Sequence, residues 1–313
     1  MDKKELVQKF FKGRAVPRPP FLPLVGTYIT KVDQVSIPSI LQDANTFYSA
    51  LVNTQKLLGY DAIILPLDPS LEVEALGGVL EWKNQEMPSV IEVPISQELL
   101  SSDFLESGRI PVVEEVVERL VKVQGKELPI IATITGPVTI LKTLYGEDIN
   151  SDIGLLKKRA SEITQAMIGL CKAFGDAKVD GILINEDLLD SALWEECKDV
   201  YKPLFNVIKF YNIFGILRLS SDINSIESTS HLPDIVLGSQ EFITNSTSIK
   251  IKGIAFAPSI WENTMDLSQL TPLWKENKKR RMFLSSSQPL NIEINLSELQ
   301  EKTSIICNEE TWQ

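Results

Sequence analysis

Short runs of apolar, β-branched residues alternate with longer stretches in which apolar positions recur every three or four residues. That alternation is expected of βα units built around a parallel sheet, whose strands are covered on both faces and so read as continuous apolar runs. Eight such runs stand out: Phe21 to Val25, Asp61 to Pro66, Pro129 to Thr135, Gly181 to Asn185, Ile213 to Ser220, Asp234 to Gly238, Ile251 to Ala257 and Arg281 to Ser286. The intervening helical patterns include Ile40 to Leu58, Val112 to Val123, Leu155 to Phe174 and Leu188 to Phe205. Eight strand-helix periods favour an α/β fold of the (β/α)8 TIM-barrel type over an open doubly wound sheet, which is the alternative.

The connection from Asp68 to Leu128 is too long for a simple βα unit and predicts an insertion after the second strand. Its Gly77-Gly78 turn, the apolar Val79-Leu80, Trp82 and the stretch from Pro88 to Pro94 suit a small hairpin or lid. No linker-like or low-complexity tract interrupts the chain. With 313 residues and 43% hydrophobic content it reads as one barrel domain, 1–313.

Charge narrows the function classes. Against 42 acidic residues stand 31 basic ones, a net charge of −11, which disfavours nucleic acid and anionic membranes. The one dense basic run, Lys278-Lys279-Arg280-Arg281, reads as a solvated helix end. Cys171, Cys197 and Cys307 are widely spaced, suggesting neither disulfides nor a zinc knuckle, and fit a reducing cytoplasm. The start lacks an apolar signal core, and no apolar run approaches the roughly 20 residues of a membrane span. A lone histidine, His231, argues against a Ser-His-Asp triad or a multi-histidine metal site. No glycine-rich phosphate cradle is evident.

In a barrel of this type, chemistry sits at the C-terminal ends of the strands. The polar residues there are Asp68, Gly136-Pro137, Glu186 and Asp187, then Arg218, Ser220 and Asp222, and finally Ser285-Ser286-Ser287-Gln288. Period-2 alternation sets Ile216, Arg218 and Ser220 on one face of their strand and Leu217 and Leu219 on the other, and the first face is expected to line the barrel.

The segment Asp61-Ala62-Ile63-Ile64-Leu65-Pro66-Leu67-Asp68, continued by Glu74-Ala75-Leu76-Gly77, resembles the second-strand signature of the uroporphyrinogen decarboxylase superfamily. Thr135-Gly136-Pro137-Val138-Thr139 is similar to its turn after the third strand, Phe283-Leu284-Ser285-Ser286 to its final strand, and Arg18-Pro19-Pro20 to its opening. The resemblance covers nearly the whole chain. The decarboxylases hold substrate carboxylates with an N-terminal Arg-Gln-x-Gly-Arg cluster, which here reads Pro23-Leu24-Val25-Gly26-Thr27. Their tyrosine and serine fall near Thr143 and Asp187, and only the aspartate, Asp68, is retained. Glu81-Trp82, Pro88-Ser89-Val90 and Thr135-Gly136-Pro137 look more like the corrinoid-dependent methyltransferase branch. That branch holds zinc through a His-x-Cys on the fifth strand and a Cys after the eighth, positions that read Arg218-Leu219-Ser220 and Gln288 here.

These readings imply catalytic roles for Asp68, Arg218 and Glu186, substrate contacts from Asp187, Ser220, Asp222, Gln288 and Gly136, and no metal, because guanidinium offers no lone pair. Arg218 is expected either to pair with Asp68 or Glu186 or to grip a substrate carboxylate or phosphate. Asp68 serves as a base or ring N–H acceptor, or else caps the next helix or pairs with Arg218. Of the adjacent Glu186 and Asp187, only one is expected to enter the mouth. No bound cofactor is expected. A corrinoid would be presented by a partner protein to a small-molecule substrate, and the resemblance implies a homodimer or a monomer. Three functions follow: a metal-independent methyltransferase, a non-catalytic binding or assembly subunit, and uroporphyrinogen decarboxylation, the last needing Arg14 or Arg18 to supply a basic pocket.

Overall fold

The computed structural model describes residues 1–93, 103–219, 235–239, 242, 251–256, 274 and 282–312. Helix α1 (Lys3–Phe11) begins on Asp2, whose side chain accepts the Glu5 N–H at 2.7 Å. Next come α2 (Ile29–Asp33), α3 (Ile37–Leu41) and α4 (Ala44–Leu58), then β1 (Ile63–Ile64) and α5 (Leu71–Ala75). Strands β2 (Val79–Glu81) and β3 (Ser89–Glu92) pair antiparallel as a hairpin. Then follow α6 (Ile110–Gln124), β4 (Ile130–Thr135), α7 (Pro137–Tyr145), α8 (Ile153–Asp176), β5 (Gly181–Glu186), α9 (Ser191–Cys197) and α10 (Lys202–Phe210). The last strands are β6 (Phe214–Leu219), β7 (Ile235–Ser239), β8 (Ile251–Phe256) and β9 (Met282–Ser286), before a helix at Leu296–Cys307.

Among the described residues, β1 and β4 to β9 form a seven-stranded, all-parallel sheet in the order β1-β4-β5-β6-β7-β8-β9. The run predicted at Phe21 to Val25 is not a full strand; it forms a single parallel bridge from Phe21 to Leu284. Both outer ends of the sheet reach this segment: the Asp61 N–H donates to Phe21 O at 3.0 Å, and the Leu22 N–H to Leu284 O at 2.8 Å. The sheet is therefore curled, with helices packed outside it, in an α/β barrel-like fold.

Two predicted helices are broken where local chemistry offers a better alternative. Asp43 accepts the Thr46 N–H at 2.8 Å and so starts α4 afresh, which splits the stretch from Ile40 to Leu58 into α3 and α4. Pro203, lacking an N–H, restarts the second stretch as α10 after a 3-10 turn at Lys198–Tyr201.

The N-terminal end of the sheet is sealed by α1. Phe11 lies 5.1 Å from Phe214 and 5.8 Å from Phe283, ring centre to ring centre, while Lys4 pairs with Asp180 at 2.5 Å. At the same end the fully buried Asp61 carboxylate takes a two-pronged contact from Arg18, at 2.6 and 2.8 Å, and also accepts the Phe21 N–H at 2.8 Å. This pair joins the bridging segment to the start of β1. Asp61→Ala would strand the Arg18 charge in the interior and is expected to cost about 3–5 kcal/mol, read as a lowered urea midpoint.

Candidate functional site

Asp68 follows β1 and turns the chain into α5: its Oδ1 accepts the Ser70 N–H at 3.1 Å and the Ser70 hydroxyl at 2.6 Å. Its Oδ2 faces Arg109, the residue before α6, at 2.5 Å. Arg109 also donates from Nε to Glu74 Oε2 at 2.7 Å and from Nη2 to Ser70 Oγ at 2.9 Å, and its guanidinium stacks 4.9 Å from the Trp82 ring centre on the hairpin. Burial works against the Arg109 charge, but Asp68 and Glu74 outweigh it and hold its pKa above the ordinary value. The expected partnership of Asp68 with Arg218 is not formed. Arg109 was absent from the sequence expectations. Its available signal was a single cation between Gly108 and an apolar helix, with Asp68 and Glu74 needing a counter-charge.

Arg218 lies on the same face of β6 as Ile216 and as Phe214, which packs on α1, so it belongs to the inner face of the curled sheet. Parallel register sets it beside Asn185. One guanidinium nitrogen, Nη1, donates to Asn185 Oδ1 and Asp187 Oδ1, and Nη2 donates to Ser287 O at 2.6 Å. Asp187 is held in turn by Asn185 Nδ2 at 2.8 Å. The counter-ion of Arg218 is thus Asp187, correcting the expectation of Asp68 or Glu186. Alternation explains the choice: Asn185 faces inward, Glu186 outward, and Asp187 comes back to the inner side just beyond the strand.

Glu186 is completely buried beneath the start of α7, away from the mouth assigned to it. Its carboxylate accepts the Val138 N–H at 3.1 Å, the Thr139 N–H at 2.9 Å, the Thr139 hydroxyl at 2.6 Å and the Tyr201 hydroxyl at 2.5 Å. An anion at a helix N-terminus meets unpaired N–H groups and the positive end of the dipole. Burial nevertheless pushes Glu186 up to about 7, although all four donors favour its charged form. Gly136 makes room for it, since a Cβ there would overlap the Glu186 carboxylate. Gly136 therefore serves the packing of Glu186.

A second buried carboxyl, Glu72 on α5, was also missed. Its Oε1 accepts the Thr135 N–H at 2.8 Å, continuing the hydrogen bonding of β4 beyond the end of β1. Its Oε2 has no hydrogen-bond partner among the described residues. Burial pushes it up to about 7, with a smaller push from Asp68. Glu72 lines a narrow cavity of about 20 Å³ with Asp68, Arg109, Thr135 and Asn185 on its polar side and Leu41, Phe47 and Leu65 on its apolar side.

Gln288 is exposed just after β9. Ser220, Asp222, His231 and the run Lys278-Lys279-Arg280-Arg281 lie outside the described residues. Arg18 is committed to Asp61 at the opposite end of the sheet, so it does not supply a basic pocket at the mouth.

The model of the uroporphyrinogen decarboxylase (URO-D) family matches residues 2–195. The chain belongs to this family. Among curated relatives, the methylcobamide:CoM methyltransferase MtbA of Methanosarcina acetivorans is 24% identical over 190 residues, covering 58% of this chain and 55% of the relative. The methylcobamide:CoM methyltransferase MtaA of Methanosarcina barkeri is 27% identical over 236 residues, covering 69% of each. The chain thus spans about half of the first relative's length. A solved methyltransferase from Methanosarcina mazei superposes with a TM-score of 0.75 at 18% identity, covering 97% of this chain and 98% of that one. A B12-independent methionine synthase from Shewanella sp. W3-18-1 superposes with a TM-score of 0.55 at 14% identity, covering 92% and 96%. At such identities the structural likeness shows the fold.

In this URO-D family member the two buried carboxyls generate separate expectations. Glu72 binds its proton more tightly folded than unfolded, so between the ordinary glutamate range and about 7 the native state carries the extra proton. Stability should then be fully present at low pH and fall as pH rises through 7, by about 3 kcal/mol for this group. Glu72→Gln should flatten that part of the profile in urea titrations from pH 4.5 to 8. For Glu186, replacing the carboxylate with an amide sets an N–H₂ against donors. Glu186→Gln should cost about 1–3 kcal/mol at pH 8 and less at pH 5.5, where the native carboxyl already carries a hydrogen.

Proposed function

We propose that the protein is a methyltransferase-like member of the URO-D family, acting on a small molecule at the C-terminal ends of its strands and receiving the methyl group from a corrinoid carried by a partner protein. In this reading the Phe21 segment is the eighth strand of a closed barrel, and the hairpin of β2 and β3 belongs to an insertion over its mouth. The observation that carries the proposal is Asp68, the aspartate at the end of the family signature. It is held at the site by Ser70 and by Arg109, whose guanidinium stacks on Trp82, in a chain whose curated relatives include methylcobamide:CoM methyltransferases.

The donor set speaks against the zinc implied by the methyltransferase branch. Arg218 stands at a ligand position, offers no lone pair, and has its N–H groups turned to Asn185, Asp187 and Ser287. Among the described residues no group of three or more His, Cys, Asp or Glu side chains is arranged to hold a metal ion. No step is therefore assigned to a metal. The residues at the mouth orient the acceptor and manage its proton: Asp68 is a fixed acceptor, and Arg218 a fixed cation already paired.

Two observations favour a second reading, a non-catalytic binding or assembly subunit. The Arg218 fork is engaged by protein groups, and the cavity beside Asp68 is narrow. The two are separated by incubating the purified chain with methylated corrinoid protein or methylcobalamin and a panel of thiol and pterin acceptors, with zinc content measured alongside. The proposal expects cobalt demethylation without stoichiometric zinc, and a loss of about 100-fold in kcat/KM for Asp68→Asn. No transfer by a folded chain to any acceptor leaves the second reading.

A further inference from the structure

The segments that lead into β4, β5 and β6 lie side by side at the N-terminal end of the parallel sheet, opposite the mouth. Backbone bonds stitch them together: the Asp180 N–H donates to Ile130 O at 2.8 Å and the Phe214 N–H to Asp180 O at 2.9 Å. Helix α1 joins them, since Phe11 packs on Phe214 and Lys4 reaches Leu128 O and Asp180. Among the described residues of these segments stand five exposed cations: Lys12 and Arg14 just after α1, Lys126 before β4, Lys178 before β5 and Lys209 near the end of α10. None of the five makes an ion pair with another described residue. The acids alongside are partly spent, Asp180 on Lys4 and Glu5 on Lys9. Five positive charges therefore meet two negative ones, Glu127 and Asp176, in a chain whose net charge is −11. Two apolar side chains stand out among them: Phe210, 84% exposed beside Lys209, and Val123, 55% exposed at the end of α6.

Salt limits the reach of a charge to about 10 Å, so this local excess, and not the acidic balance of the whole chain, governs what approaches this end. Two features select the partner. Protein interfaces enrich arginine and deplete lysine, whereas four of the five cations are lysines, compact charges on flexible stems that suit a diffuse anionic surface. An aromatic ring standing in solvent among cations matches the boundary between lipid headgroups and acyl chains, which takes both. We infer that the N-terminal end of the sheet docks on an anionic membrane surface, with its lysines among the headgroups and Phe210 at the acyl boundary. In that orientation the mouth, at the other end of the strands, faces away from the bilayer.

The test is co-sedimentation of the full chain with sucrose-loaded phosphatidylcholine vesicles, either pure or carrying about one quarter phosphatidylserine. Binding to the anionic vesicles at low ionic strength, none to the neutral ones, and release in about 1 M salt are expected. Lys178→Gln and Lys209→Gln should each weaken binding about fivefold, and Phe210→Ala about tenfold. All three side chains are exposed, and an unchanged urea midpoint shows that each variant is folded. No binding to anionic vesicles at low salt overturns the inference, as does binding that all three variants leave unaltered. Equal binding to the two kinds of vesicle overturns it with the native chain alone. Capture of polyglutamate together with failure to bind vesicles assigns the surface to an acidic protein instead, and overturns it too.

Discussion

A charge taken out of water must be met by another charge or by a full set of hydrogen bonds, and that requirement organises both ends of this sheet. At the N-terminal end Arg18 and Asp61 meet in a buried two-pronged pair that also fixes the Phe21 backbone. At the C-terminal end Arg109 gathers Asp68, Glu74 and Ser70 from one stretch of chain, and Arg218 gathers Asn185, Asp187 and Ser287 from two others. Each guanidinium ties together segments remote in sequence. The shape of the mouth follows from which carboxylates these forks consume and which they leave.

The four carboxyls around this end illustrate the point. Asp68 and Asp187 are matched by cations, Glu186 by four donors at a helix start, and Glu72 by a single backbone N–H. Burial pushes Glu72 and Glu186 toward the neutral form. Matching separates the three that have partners from Glu72, one oxygen of which has none among the described residues.

Much of the architecture was legible in the sequence because strands buried on both faces must be apolar throughout. The runs from Pro129, Gly181, Ile213, Asp234, Ile251 and Arg281 all coincide with β4 to β9. The helix breaks were not legible, since Asp43 reads as a surface polar residue until its side chain is seen to cap α4. At the site, alternation correctly separated Glu186 from Asp187 but did not say which faces inward; that depends on the register of β5 against β6. Arg109 stands 41 residues from Asp68, and no local pattern joins them. Glu72 looks like any acid on a short helix until the end of β1 leaves the Thr135 N–H for it to satisfy.

The missing side chain at Gly136 links two distant positions of the chain. Because the Glu186 carboxylate occupies the space a methyl group would need, neither site is free to vary by itself. An alanine at 136 becomes tolerable only with a shorter acid or a small polar residue at 186, and the paired change should do less harm than the sum of its parts. Across evolutionary time the two positions are thus expected to drift in concert, so covariation between them would report packing rather than shared chemistry.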